Sequence, residues 1–189
     1  QVMDDRNPYP LICLFERAVS KVSSNVQIFL LYASFLDSLN SWYHSNNPLY
    51  FDLNQWKFRV HRLATKGIKF SAKLYIGLIY SMERLHIRGK QRMDNVCCLP
   101  DIEMVVRNSM NSRMQNAMDY VNILLCYCGI VKRLTNNIEA VRKACAYSSS
   151  VILKLFPTWA SGRCQFYKYQ ASVEIALHDD VSKARELWE

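Results

Sequence analysis

The chain has 189 residues, 50% of them hydrophobic and 21% charged, which suits one domain with a real core or several stacked small units and excludes disorder over the whole length. Only 5 Gly and 5 Pro argue for helices rather than a sandwich of many tight turns. The net charge of +8 is uneven: Lys57 to Arg92 holds ten Lys/Arg against the single acid Glu83, and the remainder is close to neutral.

No apolar run approaches the roughly 20 residues that span a bilayer. The start, Gln1 to Arg6, has no signal-peptide layout and no initiator methionine, so Gln1 reads as a cut inside a longer chain. The 7 cysteines are odd in number and form no Cys-x-x-Cys pair, which favours a reducing compartment, cytosol or nucleus, over a disulfide framework.

In chain order, Pro8 and Pro10 suit a helix start, and helices follow at about 10–22 and 26–38. Leu11, Leu14, Phe15, Ala18 and Val19 share one face of the first. Phe29, Tyr32, Phe35 and Leu36 share one face of the second, with Ser24 or Asn25 as its cap. Asn40 to Asn54 reads as a long loop whose Trp42, Tyr43, Tyr50 and Phe51 fold back on the helices. A helix from near Leu53 to Lys66 stops at Gly67. Ser71 caps the next, which carries Leu74, Tyr75, Leu78, Ile79 and Met82. Gly89 and Pro100 bracket a basic connection. Helices at about 101–111 and 118–133 follow, then a turn at Asn136-Asn137. The helix after it ends near Pro157, another covers 160–177, and Val181 to Glu189 opens a further helix. No stretch reads as a strand. The plan is all-α, an α-solenoid of antiparallel helix pairs.

The pairs repeat. Phe29-x-x-Tyr32, Tyr75-x-x-Leu78, Leu124-x-x-Tyr127 and Phe166-x-x-Tyr169 take equivalent places, with second members 46, 49 and 42 residues apart. An acid follows five residues later in three of the four: Asp37, Glu83 and Glu174. On the partner helices, Phe15-Glu16-Arg17-Ala18 corresponds to His61-Arg62-Leu63-Ala64, Val106-Arg107-Asn108-Ser109 and Val141-Arg142-Lys143-Ala144. Aromatic positions one turn apart fill the space between helices, and the small Ala or Ser lets backbones approach. The acids are expected to pair with an arginine on the adjacent helix, such as Arg17 or Arg185.

These residues resemble half-a-TPR repeats, whose pattern is Trp-x-x-Tyr followed by an acid on one helix and Ala-Arg-x-aliphatic-aromatic-Glu-Arg-Ala on the other. Leu14 to Ala18, Phe29-x-x-Tyr32 with Asp37, and Lys183-Ala184-Arg185-Glu186-Leu187-Trp188-Glu189 carry it best. No copy keeps Trp at the first aromatic position, and Leu78 replaces the Tyr. The resemblance spans nearly the whole chain and implies an internal fragment, 1–189, of one repeat domain with about four repeats. It further implies a nuclear scaffold in RNA processing, of the kind that reassembles U4/U6 particles during pre-mRNA splicing. Its partners would be spliceosomal proteins and ubiquitin-specific proteases. U6 RNA would be bound through other domains of the full-length protein, and self-association would run through later repeats.

Catalytic sets are not evident. The glycines are isolated, and the histidines His44, His61, His86 and His178 do not fall at metal-ligand spacing. Neither Cys97-Cys98 with His86 nor Cys126-x-Cys128 makes a convincing metal site. The expectation is no enzyme, no cofactor, no metal and no membrane. Two contact surfaces stand as candidates: the loop aromatics, Tyr50 and Phe51 foremost, as a protein-binding patch, and the stripe Lys57, Arg59, Arg62, Lys66, Lys69 and Lys73 as an alternative RNA contact.

Overall fold

The computed structural model describes residues 8–42, 48–92, 99–178 and 185–187, with side chains placed over 8–39, 53–87, 99–176 and 185–187. Among the described residues there are eight helices and no strand. They are α1 Tyr9–Lys21, α2 Val26–Trp42, α3 Pro48–Gly67, α4 Ala72–Arg92, α5 Leu99–Met110, α6 Ala117–Thr135, α7 Ile138–Leu155 and α8 Ala160–His178.

The helix ends follow local chemistry. Asn25 rather than Ser24 caps α2, its side-chain oxygen accepting from the Gln27 N–H at 2.9 Å. Asn116 and Asp119 close a reciprocal capping box on α6. Asn136 ends that helix in the left-handed region at φ 46°, which Asn tolerates better than most residues. Asn137 then caps α7 through the Glu139 N–H at 2.9 Å.

Two expected connections are helix where the structure describes them. The stretch 40–54 reads in sequence as a loop, but α2 runs on to Trp42 and α3 already begins at Pro48. Pro48 needs no N–H at a first helical position and its fixed φ suits a helix start. Trp42, Tyr50 and Phe51 thus lie on helical backbone, while Tyr43 and the side chains of all four lie outside the described residues. Likewise α4 continues through Gly89 to Arg92, and Pro100 sits in the first turn of α5. The helix expected over 181–189 lies outside the described residues apart from 185–187, where Arg185 and Glu186 are helical.

Each helix packs on the next one in sequence, and α2, α4, α6 and α8 also contact one another in that order. Among the described residues the odd-numbered helices make no such contacts with each other. The even helices therefore form a continuous layer, and the odd ones stand apart over its gaps. The core follows this layering. One cluster joins Ile12, Phe29, Tyr32, Leu36, Val60 and Leu74 across α1–α4. The other runs from Tyr75 and Leu78 through Val106, Leu124, Tyr127 and Val141 to Phe166. Ala64, Ser109 and Ala144 are all buried on odd helices, where a larger side chain would force the neighbouring backbone away.

Candidate interaction surfaces

The repeated aromatic positions lie inside. Phe29, Tyr32, Tyr75, Leu78, Leu124, Tyr127 and Phe166 are buried, and Tyr169 is half-buried. The Phe15 ring stacks on Tyr32 with centroids 4.9 Å apart, and Ala18 lies half-buried beside it on α1. The buried phenols have assigned acceptors. Tyr32 Oη donates to Glu16 Oε1 at 2.9 Å, and Tyr127 Oη donates to Glu103 Oε1 at 3.0 Å. Burial first, then these carboxylates, hold both phenols well above the ordinary tyrosine range. Tyr75 Oη shares a hydrogen bond of 3.0 Å with Ser112 Oγ. Such rings and hydroxyls are committed to packing and present no reactive face. Arg17 is exposed; Ala184 and Trp188 lie outside the described residues.

The acids pair, but with partners other than Arg17 or Arg185. Asp37 on α2 meets Lys57 of α3 and, at 3.1 Å, Arg84 of α4. Glu83 on α4 takes a two-pronged contact from Arg133 of α6, at 2.6 and 2.9 Å. Glu174, fully buried on α8, takes the same from Arg142 of α7 at 2.7 and 2.8 Å, and Arg142 also meets Glu139. Arg84 and Arg133 occupy one register, six residues past the second repeated position, so Asp37–Arg84 and Glu83–Arg133 are successive rungs between even helices. At that place α8 has Ile175, and α6 has Lys132 where the acid would stand; the rung is lost from both sides of that junction together. Arg84 and Arg133 stand directly after the acid place of their own copies, at Glu83 and Lys132, whereas the other two copies have Ser38 and Ile175 there. An exposed Arg17 does not lie on the helix the acids face.

The basic stripe is divided. Lys57 is buried against Asp37, and burial lowers its pKa despite that partner. Arg59 Nη2 lies 3.8 Å from Glu16 Oε2. Lys73 is exposed on α4. Arg62, Lys66 and Lys69 converge on a cleft of about 410 Å³ between α3 and α5, floored by Tyr75 and Leu78 of α4. Its counterpart between α5 and α7, about 300 Å³, is floored by Tyr127 and Val131. Both exist because odd helices do not touch.

The even layer carries a larger open cleft of about 910 Å³ across α4, α6 and α8. Ile76, Tyr80 and Leu125 give it an apolar floor; Lys132, Arg133 and Lys168 give it positive charge; Asn122 and Gln165 add amides. Tyr80 is 42% exposed, and the Arg133 guanidinium sits 5.8 Å from its ring centroid. Tyr80 falls off the helical stripe of Leu74, Tyr75, Leu78, Ile79 and Met82, which is the signal in the sequence for its exposure.

Other polar groups are structural. His61 is buried, and burial, then the Lys57 charge, lowers its pKa to about 4, so it is neutral at physiological pH. The Cys126 thiol is pushed up to about 11 by burial. Cys128 and Cys145 lie together inside the α6–α7 packing, and Cys145 is held far above the ordinary thiol range by its hydrogen bond to Cys128 and by burial. Buried and held protonated, the Cys145 thiol is a poor nucleophile. Among the described residues no group of His, Cys, Asp and Glu is placed to hold a metal ion, and no helix is long and apolar enough to cross a membrane. Cys97 and Cys98 lie outside the described residues. The sequence matches no family model and no curated protein.

Proposed function

We propose that the chain is an α-solenoid of antiparallel helix pairs, a run of half-a-TPR repeats that acts as a protein-binding scaffold in RNA processing. The observation that carries this reading is the layered contact order: each helix on the next, even helices on one another, odd helices apart. That order is what stacked two-helix units produce, and it leaves one continuous face for a partner. The even face supplies an exposed aromatic, apolar neighbours and three cations in one open cleft, the mixture that suits a protein interface. The clefts are open, and their apolar floors flanked by cations and amides favour binding over catalysis.

The assignment to splicing rests on the resemblance in repeat order. Within the half-a-TPR group the chain resembles the squamous cell carcinoma antigen recognised by T cells, a spliceosome recycling factor. On that reading the protein is nuclear and works with U4/U6 particle proteins and ubiquitin-specific proteases, with U6 RNA reached through other domains and a homodimer formed through later repeats. The test is affinity capture from nuclear extract with the wild-type chain and a Tyr80→Glu/Lys168→Glu variant. Enrichment of U4/U6 particle proteins by the wild type, lost in the variant, is expected. A folded wild-type chain that enriches none of them above a matched control overturns the reading. The alternative, RNA contact through the stripe from Lys57 to Arg92, draws on the exposed Arg62, Lys66, Lys69 and Lys73. It ranks second because Lys57 is buried and Arg59 is engaged by Glu16.

A further inference from the structure

We propose that the cleft between α3 and α5 binds a phosphorylated serine or threonine carried by an extended segment of a partner protein. Arg62 and Lys66 lie one helical turn apart and face the same way, and Lys69 enters from the segment just past the end of α3. Across the gap, Asn108 and Asn111 present carboxamides whose NH2 groups can donate. Among the described residues no carboxylate lines the cleft. Three cations with no counter-charge in one concavity are electrostatically incomplete. A phosphomonoester carries close to two negative charges at neutral pH and three acceptor oxygens, which suits that arrangement.

The rest of the cleft decides between a phosphoprotein and a nucleic acid. Single-stranded RNA is held by a basic groove that tracks several phosphates, with aromatic faces on which bases stack. The aromatic at this floor, Tyr75, is buried, and its hydroxyl is occupied by Ser112. Towards the start of α3 Lys57 is buried under Asp37, and Arg59 lies 3.8 Å from the Glu16 carboxylate, so the positive charge there is partly offset. Among the described residues Arg62, Lys66 and Lys69 form a compact cluster, the form in which phosphorylated side chains are usually recognised. The Phe58 ring, 5.9 Å from the Arg62 guanidinium, gives that flexible cation a resting place near the cleft.

The occupant's being a protein segment rests on the scaffold reading, so the test uses the purified chain and needs no cellular partner. The full 15N-labelled chain is titrated with a short Gly/Ala peptide bearing a central phosphoserine. Parallel titrations use its unphosphorylated form, inorganic phosphate and oligouridylate. Saturable shifts confined to 62–69 and 108–112 are expected with the phosphopeptide and not with its unphosphorylated form. Arg62→Gln, Lys66→Gln and Lys69→Gln each weaken binding by roughly tenfold, the size of one lost charge-assisted hydrogen bond. All three side chains are exposed, so the fold is retained, which unchanged spectra elsewhere verify. Equal shifts from the unphosphorylated peptide, or no local shifts, overturn the proposal. Inorganic phosphate binding as tightly as the phosphopeptide overturns the peptide segment as occupant. Tighter binding of oligouridylate, with shifts spreading beyond the cleft, overturns it in favour of RNA. Failure here leaves capture through the even face unaffected, and failure of that capture leaves these titrations interpretable.

Discussion

The imidazole of His61 on α3 occupies the space that Gly77 on α4 leaves by having no side chain. A Cβ at Gly77 would stand 2.7 Å from His61 Nδ1, well inside contact distance. The glycine is helical and has no positive φ, so it is required for close approach and not for backbone conformation. Gly77→Ala sets a helix-propensity gain of up to about 1 kcal/mol against an overpacking cost of about 1–3 kcal/mol. The ring is buried and has little room to retreat, so a net loss of stability is expected in urea unfolding. In a His61→Ala background the same change should become neutral or stabilising. Equal costs in the two backgrounds would disprove the contact.

The same imidazole makes stability depend on pH. Its folded pKa is about 4, against an ordinary value of 6.5, because burial and the Lys57 charge oppose the proton more than Asp37 favours it. Between these values the unfolded chain binds more protons than the folded one, so stability rises with pH across that window. The contribution is full above pH 6.5 and is lost as the pH falls towards 4. The lowering by 2.5 corresponds to about 3 kcal/mol as an order of magnitude. Unfolding free energy measured from pH 7 down to 4.5 should fall for the wild type. For His61→Leu the fall should be distinctly shallower, and matching slopes would remove His61 as the cause.

The even-helix rungs differ in strength because their carboxylates differ in exposure. The Glu83 side chain is 8% exposed and held by both prongs of Arg133, whereas Asp37 is 46% exposed and shares its partners. Arg133→Ala strands a buried carboxylate and should cost about 1–3 kcal/mol, the usual penalty for an unsatisfied buried polar group. Arg84→Ala removes a surface pair and should cost no more than about 1 kcal/mol. Denaturant midpoints of the two variants check the order. Equal losses would mean that the Glu83 carboxylate is better solvated than its burial indicates.

What the sequence discloses follows from the range of each interaction. The spacing of Phe29 and Tyr32, or of Leu124 and Tyr127, is set within one helix, so periodicity identifies both the helix and its buried face. Asn136 and Asn137 mark a turn because their side chains serve their own backbone. Pro48 and Pro100 misled the placement of helix starts, since a proline that forbids helix before itself is equally at home in a first helical turn. Glu174 meets an arginine of the adjacent helix, Arg142, but the partners of Asp37 and Glu83, Arg84 and Arg133, are 47 and 50 residues away. Only the contact between alternate helices brings them together. The basic stripe was legible as charge but not as geometry, since nothing local distinguishes buried Lys57 from exposed Lys66.

That distinction gives the last prediction. Lys57 and Lys66 are nine residues apart on α3, and a sequence count treats them alike. Lys57 lies under Asp37 with its ammonium almost out of solvent, while Lys66 stands exposed at the helix end. Burying an ammonium is costly, and an apolar replacement of similar volume is often neutral or stabilising. Asp37 keeps Arg84 as a partner and is itself half-exposed, so Lys57→Met strands no buried charge. The expected change in unfolding free energy is within about 1 kcal/mol, and retention of the chain on heparin at low salt should stay close to wild type. Lys66→Gln should leave stability unchanged and lower the salt concentration needed for elution, because an accessible cation releases counterions on binding a polyanion. If Lys57→Met reduces heparin retention as much as Lys66→Gln does, Lys57 reaches solvent, and the stripe acts as one surface.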